Sequence, residues 1–519
     1  MGRSAHLFRG RRSRHQCRRG RQRHRQLCRQ LRGADHLDEL SLSGTGGGIT
    51  SSTTANLVGT LMLPQVASGT NNPISGEYGS SSEGTLELSG NGQYLTIAGY
   101  DVTASTFNSD PQSYGGATKS CISPGPSAVT CYPLAQTASV AGTPGSAGSG
   151  VTTATVVPRV TALIGYNGSV NTSTALTGVF NENNPRSVAT QNGSSFYISG
   201  QGEKNDTATQ GLFYAQLGAT TATQIYGTVD TRTVEIQNNQ LYLSTDSTEG
   251  SGVTENISTV GAAGNLPTGA TTPTILTNIK SKFSVTSLSQ LNAYDQANLD
   301  SNPAFTAASK TMGDVYLSPE SYFFASPTVL YVADSGIPKG DNNGSGSSAQ
   351  GLSDGGLQKW VFQSGQWILE YTLSAGLDLV PDTTACGSNQ VDCGTTGLIG
   401  LTGEDVDING VEEVDLFATN ATLGDEDQTY LYGITDVLGD ATLPSDESFT
   451  VLDTAAPDTI IRGVAFAPVP EPSSLAILAA GLLGLGVMRR RKRPLFHPAR
   501  LAAFQWRSRF AMSAGLKWQ

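Results

Sequence analysis

The chain has 519 residues, enough for one large all-β domain or for two or three smaller ones. Its formal net charge of −11 is unevenly distributed, because residues 1–34 carry twelve arginines and residues 489–519 carry nine lysines and arginines. Residues 35–488 therefore hold 11 basic against 43 acidic side chains, a net charge of −32. A body this acidic repels nucleic acid, so we expect no nucleic-acid partner.

Histidine is absent from the long stretch between Leu37 and Phe496. Imidazole is the usual general base near neutral pH and the commonest metal ligand, so its absence argues against Ser-His-Asp or Cys-His catalysis and against a histidine-built zinc site. We therefore predict that the protein is not an enzyme. An extracellular carbohydrate-active or carbohydrate-binding protein that uses paired carboxylates stays open as an alternative, because glycosidases need no histidine.

Residues 1–40 form an Arg-rich arm. The arm contains no apolar run of about 7–15 residues, which an export signal needs. We predict that it is disordered or that it derives from an incorrectly assigned translation start.

Residues 41–465 are predicted to form an all-β body. Four hairpins are indicated where apolar alternation stops at turn residues, namely Asn91-Gly92, Asn238-Asn239, Ser364-Gly365 and Asn409-Gly410. An apolar pair followed by a small residue also recurs, at intervals near 45 residues or twice that. The recurring segments are LTIAGYD (95–101), FYISGQG (196–202), LYLSTDS (241–247), LYVADSG (330–336), DLFATNA (415–421) and GVAFAPV (463–469).

A period of about 40–50 residues with four short strands per unit is typical of β-propeller blades. A small residue suits strands that crowd toward a central channel. A pair of β-sandwiches or a β-solenoid would share the same turn chemistry, so these folds stay open. Trp360 and Trp367 flank one predicted turn and are expected to fill a blade core, although exposed rings could stack on sugars.

Four cysteines of the body form two close pairs, Cys121 with Cys131 and Cys386 with Cys393. Neither pair has the spacing or the four ligands of a zinc site. Disulfides that close short surface loops are the better interpretation, and they indicate an oxidising compartment.

One segment has the alternating oxygen donors of a calcium loop. Asp405, Asp407, Asn409 and Glu413 occupy positions 1, 3, 5 and 9 of such a loop, and Gly410 occupies position 6. An EF-hand is excluded because position 12 is Leu416. A shorter calcium loop between two strands is one interpretation, and a solvated hairpin with acidic outward faces is the other.

The chain ends with an uncharged segment, residues 474–488, followed directly by five basic residues. Fifteen residues are short for a membrane span, which needs about 20, but the basic cluster predicts a single short C-terminal transmembrane helix with its end in the cytoplasm. A buried core helix is the alternative. Residues 495–519 are predicted to be a disordered basic tail.

Three features in this order resemble the PEP-CTERM sorting signal of Gram-negative bacteria, which we place at residues 466–494. They are Pro470-Glu471-Pro472, the apolar segment, and a basic cluster that begins with Arg489, Arg490 and Arg491. The resemblance implies an exosortase-type membrane peptidase as a partner. It also implies transient anchoring in the inner membrane before delivery to the cell surface or the medium.

The wider pattern of residues 55–490 resembles a group of secreted bacterial proteins with seven-bladed β-propeller character and PEP-CTERM tails. This resemblance implies an all-β propeller, a place in the extracellular matrix or biofilm, and exopolysaccharide or other surface proteins as partners. It implies no reaction. The expected protein is thus an exported, non-catalytic surface propeller, with a calcium-stabilised adhesion module as a further alternative and calcium as the only candidate cofactor.

Overall fold

The computed structural model describes most of the body and little of the two ends. The described residues are 6–13, 32–45, 48–77, 83–110, 113–114, 119–120, 130–131, 155–202, 206–227, 230–245, 255–280, 282–284, 290, 305–306, 311–312, 314–336, 355–379, 394–422, 427–457 and 459–470. By its contacts the chain divides into two compact units, Met1–Val469 and Pro470–Gln519.

In its described residues the first unit is all-β apart from one short helix, α1 (Ala104–Ser109). In chain order the strands are β1 (His6–Ser13), β2 (Arg32–Ser43), β3 (Thr54–Met62), β4 (Ser75–Glu77), β5 (Glu87–Leu88), β6 (Tyr94–Tyr100), β7 (Lys119–Ser120), β8 (Thr130–Cys131), β9 (Arg159–Gly165), β10 (Val170–Leu176), β11 (Pro185–Ala189), β12 (Ser195–Gly200), β13 (Gly211–Gln216), β14 (Thr223–Tyr226), β15 (Thr231–Gln237), β16 (Gln240–Thr245), β17 (Asn256–Val260), β18 (Thr274–Lys280), β19 (Lys282–Ser284), β20 (Phe305–Thr306), β21 (Thr311–Met312), β22 (Asp314–Tyr316), β23 (Pro319–Ser326), β24 (Val329–Asp334), β25 (Gly356–Gln363), β26 (Gln366–Leu373), β27 (Thr395–Ile408), β28 (Val411–Thr422), β29 (Tyr430–Val437), β30 (Thr450–Thr454) and β31 (Thr459–Phe466).

Four sheets are antiparallel meanders of four consecutive strands, namely β11–β14, β15–β18, β23–β26 and β27–β30. The four predicted hairpins are present in the structure. Three of them close through two-residue turns in which both central residues have positive φ, for example Asn409 at 58° and Gly410 at 87°. Such a backbone matches the twist of the flanking strands, which explains why Asn, Ser and Gly occupy these turns.

The remaining long strands form one larger sheet with the order β10-β9-β6-β4-β2-β1-β31, in which β3 pairs with β2 and β5 pairs with β6. Strands β31, β1, β2 and β3 are successive neighbours within it, so both ends of the first unit meet in one sheet. Strands β5, β6, β9 and β10 form its other half.

The prediction of a disordered Arg-rich arm is wrong for His6–Ser13 and Arg32–Ser43, which are strands. Leu7 is fully buried, and Arg9 and Arg11 lie 3.1 and 3.0 Å from the Asp38 carboxylate. Asp453 also pairs with Arg9. Because Asp38 and Asp453 neutralise these arginines, a strand rich in basic residues can enter the sheet.

Contacts between strands link the sheets in a cyclic order. Strand β31 contacts β5, β5 contacts β11, β11 contacts β15, β15 contacts β23, β23 contacts β27, and β27 contacts β31 again. Among the described residues, six clusters of buried apolar side chains follow this order, five between successive sheets and one between the two halves of the larger sheet. Trp360 and Trp367 are 1% and 5% exposed in one of them, which confirms that they are core residues.

Hydroxyl groups tie neighbouring sheets together. In four places a Ser or Thr on the second strand of a sheet donates a hydrogen bond to a carbonyl oxygen of the next sheet's first strand. These bonds run from Thr96 to Val188, from Ser199 to Arg232, from Ser244 to Glu320 and from Thr419 to Arg462. The recurring segments with a small residue thus fall mainly on the second strands of these groups.

No helix in the part of the chain that the structure describes is long and apolar enough to cross a membrane. The predicted transmembrane segment, residues 474–488, lies outside the described residues.

Candidate functional site

The sorting signal begins directly after the last strand. Pro468 is buried, and the backbone N–H of Val469 donates to the Gly92 carbonyl oxygen at 2.8 Å, which fixes this segment to the hairpin turn between β5 and β6. Pro470 is exposed. The other predicted signal residues lie outside the described residues, namely Glu471, Pro472, Arg489, Arg490 and Arg491.

The cysteine side chains of the two predicted disulfides also lie outside the described part of the structure. Cys131 ends strand β8, but its side chain is not among those described, and neither are Cys121, Cys386 and Cys393. The two disulfides therefore stay predictions.

The predicted calcium residues lie on the hairpin of β27 and β28. Asp407 is paired with Glu412 and Asp405 with Val414, whereas Glu413 is paired with Val406. Side chains that alternate along a strand point to opposite faces, so Glu413 lies on the face opposite to Asp405 and Asp407.

The backbone N–H of Gly410 donates to Asp407 Oδ1 at 2.9 Å, so this carboxylate closes the turn. Burial, and then the nearby Glu412 carboxylate, raise the pKa of Asp405. Within the described residues no group of three or more His, Cys, Asp or Glu side chains is placed to hold a metal ion. The structure therefore gathers Asp405 and Asp407 on one face and separates them from Glu413.

Two glutamates from different sheets, one buried and one half-buried, interact electrostatically as a carboxyl pair that we did not predict. Glu87 on β5 and Glu235 on β15 influence each other's ionisation, and Ser187 of β11 lies between their strands. Ser187 Oγ is 3.3 Å from Glu87 Oε1 and 3.2 Å from the carbonyl oxygen of Val234. We call Glu87, Ser187, Glu235 and Tyr322 the carboxyl-pair cluster.

Burial is the main reason why both carboxyl groups favour the protonated form. It raises the pKa of Glu235 to about 8, and it raises the pKa of Glu87 well above 4.5 with a further contribution from Glu235. Glu235 Oε2 is shielded from solvent and has no hydrogen-bond partner among the residues that the structure describes. The Tyr322 hydroxyl is also shifted well above its ordinary pKa of 10, by burial first and by the two glutamates next.

This chemistry limits what the carboxyl-pair cluster can do. Glycoside hydrolysis needs one protonated and one ionised carboxyl group. Here burial favours the protonated form of both groups, which disfavours the ionised partner that this reaction needs.

A second buried cluster contains a cation. On β24, β25 and β26 the side chains of Tyr331, Lys359 and Tyr371 are directly opposite one another. Lys359 Nζ lies 2.8 Å from Asp436 Oδ2 on β29 of the next sheet, and both side chains are fully buried. Both tyrosine hydroxyls donate to Asp436, with Tyr371 at 2.5 Å.

Glu447, in the loop before β30, adds a further acid to this lysine cluster. Burial and then the Asp436 charge raise the pKa of Glu447 to about 9. We call Tyr331, Lys359, Tyr371, Asp436 and Glu447 the lysine cluster. It joins the sheet β23–β26 to the sheet β27–β30 by charge-assisted hydrogen bonds.

Sequence patterns did not signal the carboxyl pair. Glu87 stands between Leu86 and Leu88, and Glu235 stands between Val234 and Ile236. Polar and apolar residues that alternate in this way usually place the acid on the exposed face of a strand. No local pattern indicates that these two acids, 148 residues apart, come together.

Comparison with known proteins identifies one motif. Residues 468–492 match the PEP-CTERM protein-sorting motif, as the sequence predicted. No curated protein sequence matches the chain.

Two solved structures are similar over most of the chain at low identity. One is a hypothetical selenium-binding protein from Sulfolobus tokodaii, with 7% identity, a TM-score of 0.37, and coverage of 90% of this chain and 94% of that chain. The other is apo AztD from Citrobacter koseri, with 9% identity, a TM-score of 0.29, and coverage of 89% of this chain and 100% of that chain.

Proposed function

We propose that this chain is an exported, non-catalytic surface protein with a β-propeller body, because it carries a PEP-CTERM sorting motif C-terminal to an all-β body. The observation that carries this proposal is the motif at residues 468–492, which begins two residues after β31 ends at Phe466. The motif implies processing by exosortase, a membrane protein, and export to the cell envelope or surface.

The cyclic order of contacts supports the propeller. Six groups of four strands follow one another around this order, and the last strand of the unit joins the first ones in a single group. Closing the cycle with strands from both chain ends removes exposed sheet edges at the inner side. We therefore propose six blades, where the sequence resemblance implied seven.

Two features favour a structural or adhesive role over catalysis. Burial favours the protonated form of both members of the carboxyl pair, and the two body tryptophans that could stack on sugars are buried. We propose that residues 474–488 anchor the chain transiently in the inner membrane. After processing, the body would reside at the cell surface or in the extracellular matrix of a biofilm, beside exopolysaccharide.

The test is cell fractionation combined with intact-mass mapping of the C-terminus, in the native host with and without its exosortase. We expect a truncated body at the surface or in the medium when exosortase is present, and an uncut chain in the inner membrane when it is absent. A body recovered from the cytosol with its tail intact would overturn the proposal.

Two proline variants give a matched comparison. Pro472→Ala changes the motif itself, whereas Pro494→Ala changes a proline just beyond it. We expect the first to accumulate uncut in the membrane and the second to be processed like the native chain. Equal processing of both variants would count against recognition through this motif.

A further inference from the structure

The Lys359 amine and the Asp436 carboxyl group are held in contact inside the body, away from solvent. Lys359 Nζ lies 2.8 Å from Asp436 Oδ2, and both side chains are fully buried. The two residues belong to strands β25 and β29 of successive sheets, 77 positions apart in the chain. An amine and a carboxyl group are the two reactants of amide formation, and holding them in contact replaces a chance collision by an intramolecular step.

Three acceptors surround the Lys359 nitrogen, one for each of its protons. Besides Asp436 Oδ2, they are the Tyr371 hydroxyl at 2.8 Å and the Val437 carbonyl oxygen at 2.7 Å. When the proton that faces Asp436 moves to that carboxylate, the nitrogen keeps the other two hydrogen bonds and turns its lone pair toward the acid. Burial lowers the cost of this transfer, because it removes the water that would solvate the two charges.

Two tyrosine hydroxyls bind the oxygen atoms of the Asp436 carboxyl group. Tyr331 donates to Oδ2, and Tyr371 donates to Oδ1 at 2.5 Å. Burial, and then Asp436, raise the pKa of both hydroxyls, so they stay hydrogen-bond donors. Donors in these positions stabilise the negative charge that develops on the carboxyl oxygens when an amine attacks the carbon.

Glu447 is placed to exchange protons with the reacting pair. Burial, and then the Asp436 charge, raise the pKa of Glu447 to about 9, which favours its protonated form beside Asp436. Its Oε2 atom is shielded from solvent and has no hydrogen-bond partner among the described residues. A protonated acid next to the reacting carboxyl group can donate to the departing oxygen and then accept a proton from the amine.

We propose that the lysine cluster is a self-modification site, in which Lys359 Nζ and Asp436 Cγ form an amide bond after the body has folded. The new N–C bond replaces one C–O bond of Asp436, whose oxygen leaves with two protons as water. Glu447 donates a proton to the departing hydroxyl group and receives one from the amine, so it is unchanged at the end. Nothing is oxidised or reduced, and the bond forms once in each chain.

The amide bond ties the sheet β23–β26 covalently to the sheet β27–β30. These two sheets already share one cluster of buried apolar side chains. Because the reactants meet only when β25 and β29 belong to packed sheets, the bond forms in folded chains and closes a loop of residues 359–436. Exclusion of water from the site protects the amide from hydrolysis. The inference rests on these contacts and not on the sorting signal or the route of export.

Tryptic digestion of the full chain, purified and then reduced and alkylated, tests the proposal. Lys359 is the only tryptic site between Lys339 and Arg462 in the sequence. An unmodified Lys359 therefore gives two peptides, residues 340–359 and residues 360–462.

An amide at Lys359 blocks cleavage at that residue. We expect a single peptide of residues 340–462 whose mass is lower than the sequence mass by one water molecule. Fragment ions should place the link between Lys359 and Asp436.

Variants separate the reactants from the proton donor. Lys359→Met should keep the full sequence mass of residues 340–462, because the amine is gone. Glu447→Gln should slow bond formation about a hundredfold or more, since the amide side chain cannot supply the proton. Asp446→Asn is the matched control, because Asp446 precedes Glu447 in the same loop but is exposed. A time course after synthesis measures the linked fraction, and circular dichroism shows that each variant is folded.

Three results would overturn the proposal. The native chain could yield the two separate peptides, which would leave Lys359 and Asp436 as an ion pair only. The loss of one water could persist in Lys359→Met, which would place the dehydration at another residue. Glu447→Gln could link as fast as Asp446→Asn, which would remove Glu447 from the reaction.

Discussion

The lysine cluster and the carboxyl-pair cluster bury acidic side chains in different ways. Asp436 meets an ammonium group and two tyrosine hydroxyls, all on the neighbouring sheet. Glu87 and Glu235 meet each other and a serine, with no cation among the partners described for them. An acid buried with a cation depends on that cation, whereas an acid buried with another acid depends on keeping its proton.

The largest loss of stability is expected when the lysine cluster loses its cation. Lys359→Met leaves Asp436 buried without its counter-ion, and we expect the free energy of unfolding to fall by about 3–5 kcal/mol. Denaturant unfolding followed by tryptophan fluorescence measures the change. Glu412→Gln, at an exposed position of a hairpin turn, should leave the midpoint nearly unchanged, and a loss for Lys359→Met no greater than for this control would contradict the prediction.

The carboxyl pair should make stability depend on pH. Between about pH 4.5 and pH 8 the folded protein holds the Glu235 proton while the unfolded chain has released it, so the free energy of unfolding falls as pH rises and levels off above pH 8. Glu87 acts in the same direction. Glu447 does so up to about pH 9.

Glu235→Gln replaces the protonated acid by a neutral isostere. The variant therefore lacks the contribution of Glu235 to the pH dependence of the free energy of unfolding. We expect it to stabilise the protein by roughly 1–3 kcal/mol at pH 8 relative to pH 4.5. Unfolding curves at several pH values measure this difference, with Asp110→Asn, at an exposed position after α1, as the control. Identical pH slopes for Glu235→Gln and the native protein would show that Glu235 does not hold the proton.

A smaller effect separates the bonds between sheets from those within turns. Ser199→Ala removes the hydroxyl that donates to the Arg232 carbonyl oxygen of the next sheet and should cost about 1 kcal/mol. Ser194→Ala removes only a local bond to Asn192 in an exposed turn and should cost less than half as much. Thermal unfolding of the two variants measures this difference in stability. Equal losses of stability would argue against a role for the hydrogen bond between the sheets.

The smallest effect concerns the hairpin of β27 and β28. Asp407→Ala removes the acceptor for the Gly410 N–H and should lower stability by roughly 0.5–1 kcal/mol. If the acids serve only the turn, this loss is the same in calcium and in EDTA. A native protein that melts higher in calcium, with the increment lost in Asp407→Ala, would favour the calcium loop instead.

Sequence reasoning reached the parts of the fold that depend on neighbouring residues. Hairpins at Asn238-Asn239 and Ser364-Gly365 were predictable because the turn requires positive φ, which few residue types adopt. Burial of Trp360 and Trp367 followed from their places on opposite strands of one hairpin. These features need only local information.

The remaining features depend on residues far apart in the chain. Strand β1 was not predictable from its Arg-rich sequence. Arg9 can be buried in the sheet only because Asp38 and Asp453 neutralise it, and both lie far from it in the chain. The number of sheet groups depends on β31 joining β1. The partner of Glu87 could not be inferred either, since no local pattern links it to Glu235.

The pairing of β31 with β1 also has a consequence for the order of events in biosynthesis. β31 is translated after the other strands of the first unit, and it ends at Phe466, just ahead of the sorting motif. Under the export route that we propose, β31 would leave the secretion channel only when the sorting motif is about to reach the membrane. We expect the nascent chain to complete its fold at the membrane, within reach of the peptidase.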